Sequence, residues 1–244
     1  GGALALKSSL WLKEISFMGK ALFITGTGTD IGKTYVTGLI VKRLKEAGLR
    51  VGYYKAALSG AETSADGSLL PGDALHVART AALAEDEAIV SYIYRDAVSP
   101  HLAARIENRP IDFGKVERDF RAAKERFDYL TVEGSGGIIC PLRWDETQHV
   151  ILDDLVVRLR LGAIVVADAG LGTINATVLT IEHLKLRHIP VAGVILNRYH
   201  PGDVMEEDNR RMITEITGVP VIACVKPEDS VLDIDPEVLA GLYK

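Results

Sequence analysis

The chain has 244 residues, enough for one large α/β domain with a sizeable core but short for two catalytic domains. Its hydrophobic content of 48% and charged content of 25% argue against a disordered chain. A net charge of −5 provides no basic surface for nucleic acid or an anionic membrane, and no apolar run reaches the roughly 18 residues of a membrane helix. We therefore expect small molecules as partners.

The two cysteines, Cys140 and Cys224, lie in apolar surroundings without the spacing of a metal site or a disulfide framework. Both are interpreted as reduced core residues, which favours a cytoplasmic protein. Residues 1–17 precede Met18, which leads directly into the first apolar strand, and they contain no signal-peptide core. We interpret them as an extension from cloning or start-site choice, and residues 18–244 as one catalytic domain.

The segment 22–34, LFITGTGTDIGKT, has the pattern of a strand, a glycine-rich loop and the start of a helix. Backbone N–H groups at such a helix N-terminus, together with the helix dipole, bind phosphate. Lys33 would reach the β- and γ-phosphates, and the Thr34 hydroxyl would bind Mg²⁺. Five residues separate Gly26 from Gly-Lys, where the common pattern has four. The segment predicts a nucleoside triphosphate site, with a tight turn that binds no ligand as the alternative.

Beyond the predicted helix at 34–47, residues 51–55 predict a second strand that ends on the phosphate side of the sheet. Residues 56–72 are rich in Gly, Ser and Ala and show no period, so they predict a long functional loop, with Lys55 and Ser59 at its start. Asp73 has two interpretations that stay open. It caps a helix that runs to about Thr80, or it binds the metal.

Residues 129–137, YLTVEGSGG, predict a buried strand that brings Glu133 to the carboxyl edge of the sheet. In phosphate-loop enzymes an acid at such a strand end holds the metal or its water. The alternative is an exposed Glu133 before an ordinary glycine turn. The run Gly-Ser-Gly-Gly also provides backbone donors suited to an anion.

Strands and helices alternate along the rest of the chain. Strands are predicted at 89–94, 163–167, 191–196 and 221–225, and helices from Ser99-Pro100, at 113–125, 150–160, 173–187 and 204–217, and after Pro236. This alternation predicts a doubly wound, mostly parallel sheet with helices on both faces, of the P-loop NTPase kind. Ligands should bind at its carboxyl edge.

The order and spacing of these segments resemble the dethiobiotin synthetase family, ATP-dependent enzymes of biotin biosynthesis. The resemblance covers residues 20–228, including the longer phosphate loop. It rests on residues 25–34 (TGTGTDIGKT), 54–60 (YKAALSG), 72–74 (GDA), 99–101 (SPH), 132–137 (VEGSGG), 170–175 (GLGTIN) and Asn197.

The resemblance implies a ligase that forms C–N bonds by ring closure. Its substrates would be 7,8-diaminopelargonic acid, carbon dioxide and ATP, its products dethiobiotin, ADP and phosphate, and its intermediates a carbamate and a carbamic–phosphoric anhydride. Mg²⁺ would be the cofactor, and the protein would be a homodimer.

The resemblance also implies roles for individual residues. Mg²⁺ would be held by Thr34, Asp73 and Glu133, and the catalytic residues would be Lys55, Lys33 and Thr29. ATP would contact Gly28, Asp30, Ile31, Gly32, Lys33, Thr34, Tyr35, Asp73, Glu133, Gly134, Ser135, Gly136, Asn197 and Pro227, the last two at the base. The diamine would contact Thr29, Lys55, Ser59, Gly136, Leu171, Gly172 and Asn175.

Three positions depart from the family pattern. Ala56 stands where relatives usually have proline, and Asp30 where glutamate is common. Neither change removes a functional group that the reaction needs. Arg198 replaces an aspartate often seen there, which bears on the selectivity for the base.

Two other classes of protein are alternatives to this family. A regulatory ATPase of the MinD/ParA type carries a signature lysine five residues before the loop lysine, and Gly28 occupies that position here. Such switches also often carry a membrane-binding helix or a basic patch, and the C-terminal sequence has neither. A cobyrinic-acid-type amidotransferase needs a glutaminase domain, for which the chain leaves no room.

Overall fold

The structure, a computed structural model, describes residues 18–244, so the interpretation of residues 1–17 lies outside the described residues. The strands are β1 (Lys20–Gly26), β2 (Val51–Leu58), β3 (Glu62–Thr63), β4 (Leu69–Leu70), β5 (Ala88–Ile93), β6 (Tyr129–Gly137), β7 (Pro141–Trp144), β8 (His149–Ile151), β9 (Ala163–Asp168), β10 (Val191–Asn197) and β11 (Val221–Val225). The helices are α1 (Lys33–Glu46), α2 (Gly72–Ala81), α3 (Pro100–Ile106), α4 (Phe113–Arg126), α5 (Leu152–Arg158), α6 (Thr173–Leu186), α7 (Val204–Thr217) and α8 (Pro236–Gly241), with a 3-10 turn at Glu85–Glu87.

Within residues 18–244, seven strands form one parallel sheet in the order β11-β10-β9-β1-β6-β2-β5. The predicted doubly wound α/β fold is therefore confirmed. Strand β6 lies between β1 and β2, although it comes after both of them in the chain and several other elements precede it. This insertion sets the composition of the site, because the carboxyl ends of β1, β6 and β2 become neighbours.

Helices cover both faces of the sheet because the central strands are apolar on both sides. In β1, Ala21 and Phe23 contribute to one hydrophobic core, while Leu22 and Ile24 contribute to the other. This alternation follows from the two-residue period of a strand. One core contains buried side chains of α1, α2 and α8, and the other contains those of α3 to α7.

The structure corrects several boundaries. The predicted 56–72 loop is shorter, since β2 runs to Leu58 and the β3–β4 hairpin occupies part of the rest. The predicted 150–160 helix starts at Leu152 because a second hairpin, β7–β8, precedes it. The capping interpretation of Asp73 is wrong. Helix α2 begins at Gly72 with Pro71 as its N-cap, so Asp73 lies within the first turn.

No helix among residues 18–244 combines the length and apolar character needed to cross a bilayer. The cytoplasmic location stays a prediction.

Candidate active site

The phosphate loop joins β1 to α1. Gly32 is the N-cap of α1 at φ +83°, no side chain caps the helix, and its first turn holds no acidic residue. Asp30 also adopts a left-handed conformation, at φ +60°. A helix N-terminus whose N–H groups donate to no capping side chain is suited to binding an anion. The local structure therefore supports a phosphate site rather than an ordinary turn.

Glu133 lies between the phosphate loop and Lys55 because of the strand order. Its Cα is in register with Ile24 of β1 on one side and with Lys55 of β2 on the other. The carboxylate is buried, so the alternative of an exposed glutamate is wrong. Its Oε1 accepts hydrogen bonds from Thr34 Oγ1 at 2.7 Å and from Lys55 Nζ at 3.2 Å. Its Oε2 accepts one from the Tyr53 hydroxyl at 2.8 Å.

Lys55 bridges two acids that are far apart in sequence. Its buried ammonium donates to Asp73 Oδ2 at 2.6 Å as well as to Glu133. Burial opposes the charged form of Lys55, but attraction to the two carboxylates outweighs it, so the pKa of Lys55 lies above its ordinary value. Burial likewise acts to raise the pKa of Asp73, and the charge of Lys55 overcomes this and lowers it. Both groups are therefore charged at neutral pH.

Lys33, at the start of α1, lies in the same charged cluster. Its pKa is lowered, first by burial and then by repulsion from Lys55. Because an approaching polyphosphate supplies negative charge, its binding would raise the pKa of Lys33 and favour the charged form. The cluster thus holds two lysines and two carboxylates, whose formal charges cancel. It therefore offers partners to both an anion and a divalent cation.

The donor set fits Mg²⁺. Thr34, Asp73 and Glu133 provide one hydroxyl and two carboxylates, and the Lys55 ammonium already marks a cation position between the two acids. Mg²⁺ in nucleotide sites is commonly held by one or two carboxylates, with waters and phosphates as its other ligands. Within the described chain, no group of three or more His, Cys, Asp or Glu side chains could hold a metal alone. A metal here would therefore need oxygen ligands from Thr34 and a nucleotide.

Half of the predicted site residues line one cavity of about 850 Å³ at the carboxyl edge of the sheet. Those that line it are Thr29, Asp30, Gly32, Lys33, Thr34, Lys55, Ser59, Asp73, Ser135 and Gly136. Glu133 lies beneath this surface and reaches it through Thr34 and Lys55.

Three of the residues predicted to contact the diamine lie elsewhere in the chain. Leu171, Gly172 and Asn175 line a second cavity of about 460 Å³ between α6 and α7. Gly172 is the N-cap of α6 at φ +92°, and no acidic residue follows in the first turn. The two halves of the predicted diamine site therefore line separate cavities of this chain.

The residues predicted at the base lie around the phosphate loop. Asn197, at the end of β10, donates from Nδ2 to the Ile31 carbonyl at 2.9 Å. Tyr35 donates from its hydroxyl to the Asp229 carbonyl, in the exposed segment that also contains Pro227. The end of β10 thus contacts the phosphate loop, and the segment after β11 contacts the first turn of α1.

The glycines predicted at the nucleotide differ in their surroundings. A Cβ on Gly134 would lie 2.7 Å from Phe23 Cζ, so packing already requires glycine there, whereas a Cβ on Gly28 would meet no atom within 4 Å. Gly136 has φ +61°, a conformation that favours glycine.

Three further residues at the site are absent from the predicted contacts with ATP, Mg²⁺ and the diamine. Tyr53 lies two positions before Lys55, on the same face of β2, and the strand period is the signal that could have identified it. Cys140 lines the main cavity, where burial raises the pKa of its thiol. Arg198 lines it as well and contacts the phosphate loop. No local pattern predicts the positions of Cys140 and Arg198.

A parallel α/β sheet with a glycine-rich phosphate loop after a central strand defines the P-loop NTPase fold. The MinC:MinD complex of Aquifex aeolicus matches at a TM-score of 0.52 with 16% identity, over 86% of this chain and 82% of the other. A ParA-family ATPase from Chlorobium tepidum matches at 0.53 with 16% identity, over 86% and 85%. At this identity the likeness shows the fold alone.

The family follows from sequence comparison. A family profile described as an AAA domain matches residues 20–234. The ATP-dependent dethiobiotin synthetase of Brachyspira hyodysenteriae is 47% identical over 93% of this chain and the whole of that protein. The same enzyme from Clostridium botulinum is 46% identical over 93% of this chain and 99% of that protein. The chain belongs to the dethiobiotin synthetase family, so it is an ATP-dependent ligase that forms C–N bonds.

Proposed function

We propose that the protein converts 7,8-diaminopelargonic acid, carbon dioxide and ATP into dethiobiotin, ADP and phosphate. The observation that carries this proposal is the convergence of Lys33, Thr34, Lys55, Asp73 and Glu133 around one cavity. A phosphate loop alone would serve any nucleotide enzyme. Lys55 and its two acids add a second charged group where the γ-phosphate is expected to face its acceptor.

The proposed reaction proceeds through negatively charged intermediates. One amine of the substrate adds to carbon dioxide and loses a proton, which gives a carbamate. A carbamate oxygen then attacks the γ-phosphorus and ADP leaves, forming a carbamic–phosphoric anhydride. The second amine attacks the carbonyl carbon of this anhydride, phosphate leaves, and the ureido ring closes with loss of a proton. No protein nucleophile is required, so the protein acts by positioning and charge neutralisation.

Lys33 and Lys55 would divide the work of neutralisation. Lys33, at the start of α1, would hold the β- and γ-phosphates together with the loop amides. Lys55 would neutralise negative charge on the transferring phosphoryl group and the carbamate. Bound Mg²⁺, held by Thr34, Asp73 and Glu133, would supply further charge neutralisation on the triphosphate. Asn197 and the Pro227 segment would contact the base.

The diamine would extend from Thr29, Ser59 and Gly136 toward a second subunit. Leu171, Gly172 and Asn175 would then bind the tail carboxylate of a substrate held in the partner's main cavity. The separation of the two cavities within one chain supports this arrangement. Exposed apolar side chains beside the second cavity, among them Leu171, Leu179 and Ile216, provide a surface suited to a homodimer contact.

Phosphate release under defined omissions tests the reaction. With ATP and Mg²⁺, release should require both carbon dioxide and the diamine, because the acceptor of the γ-phosphate is the carbamate that they form together. A product with one added carbonyl carbon and no titratable amines would establish ring closure. Brisk hydrolysis without either acceptor would favour the MinD/ParA-type switch. An acyclic phosphorylated product would indicate a different ligase chemistry.

A further inference from the structure

The last residue of β10 and the residue after it contact two consecutive peptides of the phosphate loop. Asn197 Nδ2 donates to the Ile31 carbonyl at 2.9 Å, and Arg198 Nη2 donates to the Asp30 carbonyl at 2.6 Å. Arg198 itself has φ +56°, an uncommon conformation for a residue with a side chain. The two contacts form a clamp on the carbonyls of the loop.

Holding a carbonyl also fixes the direction of an amide. In a trans peptide, the C=O of one residue and the N–H of the next point in opposite directions. The contact to the Asp30 carbonyl therefore orients the Ile31 N–H away from Arg198, and the contact to the Ile31 carbonyl does the same for the Gly32 N–H. Consecutive amides turned to one side form a concave anion site. A clamp on the carbonyls thus organises phosphate donors that it does not touch.

Arg198 is anchored on its other side. Its Nη1 lies 2.8 Å from Asp168 Oδ2 at the end of β9, and Asp168 Oδ1 accepts a hydrogen bond from the Gly170 N–H at 2.9 Å. The carboxylate is therefore oriented by its own backbone turn. A guanidinium can satisfy two partners at once through its fixed fork of donors. Arg198 thus connects the end of β9 to the left-handed apex of the phosphate loop.

We propose that Arg198 is a positioning residue for the nucleotide: by joining Asp168 to the Asp30 carbonyl, it holds the loop amides in the arrangement that binds phosphate. The proposal rests on the proposed function of this loop as the ATP site. A different role is simple charge attraction, since Arg198 also lines the cavity. The two roles predict opposite effects for Asp168.

The test measures the Kd of Mg²⁺–ADP by calorimetry in Arg198→Ala, Arg198→Lys and Asp168→Asn. If Arg198 is a clamp, Arg198→Ala should weaken binding about 3- to 10-fold, in the range for a half-exposed, charge-assisted contact. Arg198→Lys should not restore it, because one ammonium cannot reproduce the fork. Asp168→Asn should also weaken binding, whereas charge attraction predicts tighter binding once a carboxylate is neutralised.

Steady-state kinetics provide the second readout. The KM for ATP should rise in Arg198→Ala, while kcat and the KM for the diamine stay within about twofold of the parent values. Arg211→Ala, which breaks another exposed ion pair, with Asp208 on α7, is the matched control and should change neither constant. Unchanged Kd in Arg198→Ala, full rescue by lysine, or tighter binding in Asp168→Asn would each overturn the proposal. If the proposed ligase reaction were wrong instead, the parent protein would bind Mg²⁺–ADP but would not form the ring-closed product.

Discussion

Lys55 Nζ lies 2.6 Å from Asp73 Oδ2, although the two residues are 18 positions apart and belong to different elements. The same ammonium lies 3.2 Å from Glu133 Oε1, so a lysine stands between two acids proposed as metal ligands. The Lys55 ammonium thus occupies the neighbourhood proposed for Mg²⁺.

Replacing Lys55 should show whether its ammonium competes with Mg²⁺ for the two carboxylates. Lys55→Met leaves Asp73 and Glu133 without the ammonium that is paired with both of them, which destabilises the fold. We expect a lower Tm than in the parent, and a Mg²⁺-induced increase in Tm that is larger than in the parent, because metal then supplies the missing charge. Turnover should fall about 100- to 1,000-fold, as for loss of one stabilising group at a transition state. Thermal melting with and without Mg²⁺ measures the first effect.

Lys33→Ala is the control for that experiment. It removes a neighbouring positive charge that forms no salt bridge with either acid in the described part of the chain. An equal Mg²⁺ response in the two variants would mean that general electrostatics, rather than direct competition, governs the metal.

Lys33→Ala should itself abolish most of the activity. The charge on the β- and γ-phosphates would lose its main protein partner, and turnover should fall by about three orders of magnitude or more. Circular dichroism should show a persisting fold, because the side chain lines the cavity rather than the core. Unchanged turnover in a steady-state assay would remove Lys33 from the mechanism.

Gly32→Ala should prevent nucleotide binding. A Cβ at this position would lie 2.1 Å from Asn197 Nδ2, and the residue has φ +83°. Both features force the loop to move. Gly48→Ala is the matched control, since Gly48 has φ +80° but its Cβ would meet no atom within 4 Å. Both variants should lose about 1 kcal/mol from the left-handed conformation, but only Gly32→Ala should lose Mg²⁺–ADP affinity in calorimetry. Retained affinity in Gly32→Ala would contradict the assignment of the loop.

Leu179→Glu should produce monomers. Leu179 on α6 is 62% exposed beside the second cavity, and a buried charge at an apolar contact is costly. We expect the parent to sediment as a dimer and the variant as a monomer. Val238→Glu on α8, at a residue 57% exposed, should remain dimeric. A monomeric parent at assay concentrations would contradict the proposed homodimer.

Asn175→Ala should affect the diamine and not the nucleotide. If the start of α6 binds the tail carboxylate, loss of one polar contact should raise the KM for the diamine about 10-fold. The Kd of Mg²⁺–ADP should stay unchanged. Weaker binding of Mg²⁺–ADP with an unchanged KM for the diamine would contradict the assignment of Asn175 to the diamine.

The sequence best predicts the segments whose conformation depends mainly on residues nearby in the chain. The phosphate loop is recognisable because strand, glycines and helix start are consecutive, and their conformations depend mainly on neighbours in the chain. The parallel sheet was predictable because apolar strands alternate with helical periods. Asp73 was ambiguous because capping and metal binding favour the same residue type, and only the position of Pro71 as N-cap decided against capping.

Strand order is the feature that only the tertiary structure decided. Nothing in the sequence of β6 states that it pairs with both β1 and β2, yet this placement puts Glu133 in register with Ile24 and with Lys55. Long-range pairing depends on how whole faces pack, not on local preference. The clamp on the phosphate loop has the same origin. Arg198 meets the Asp30 carbonyl 168 positions away because β9 lies beside β1 in the sheet and β10 lies beside β9.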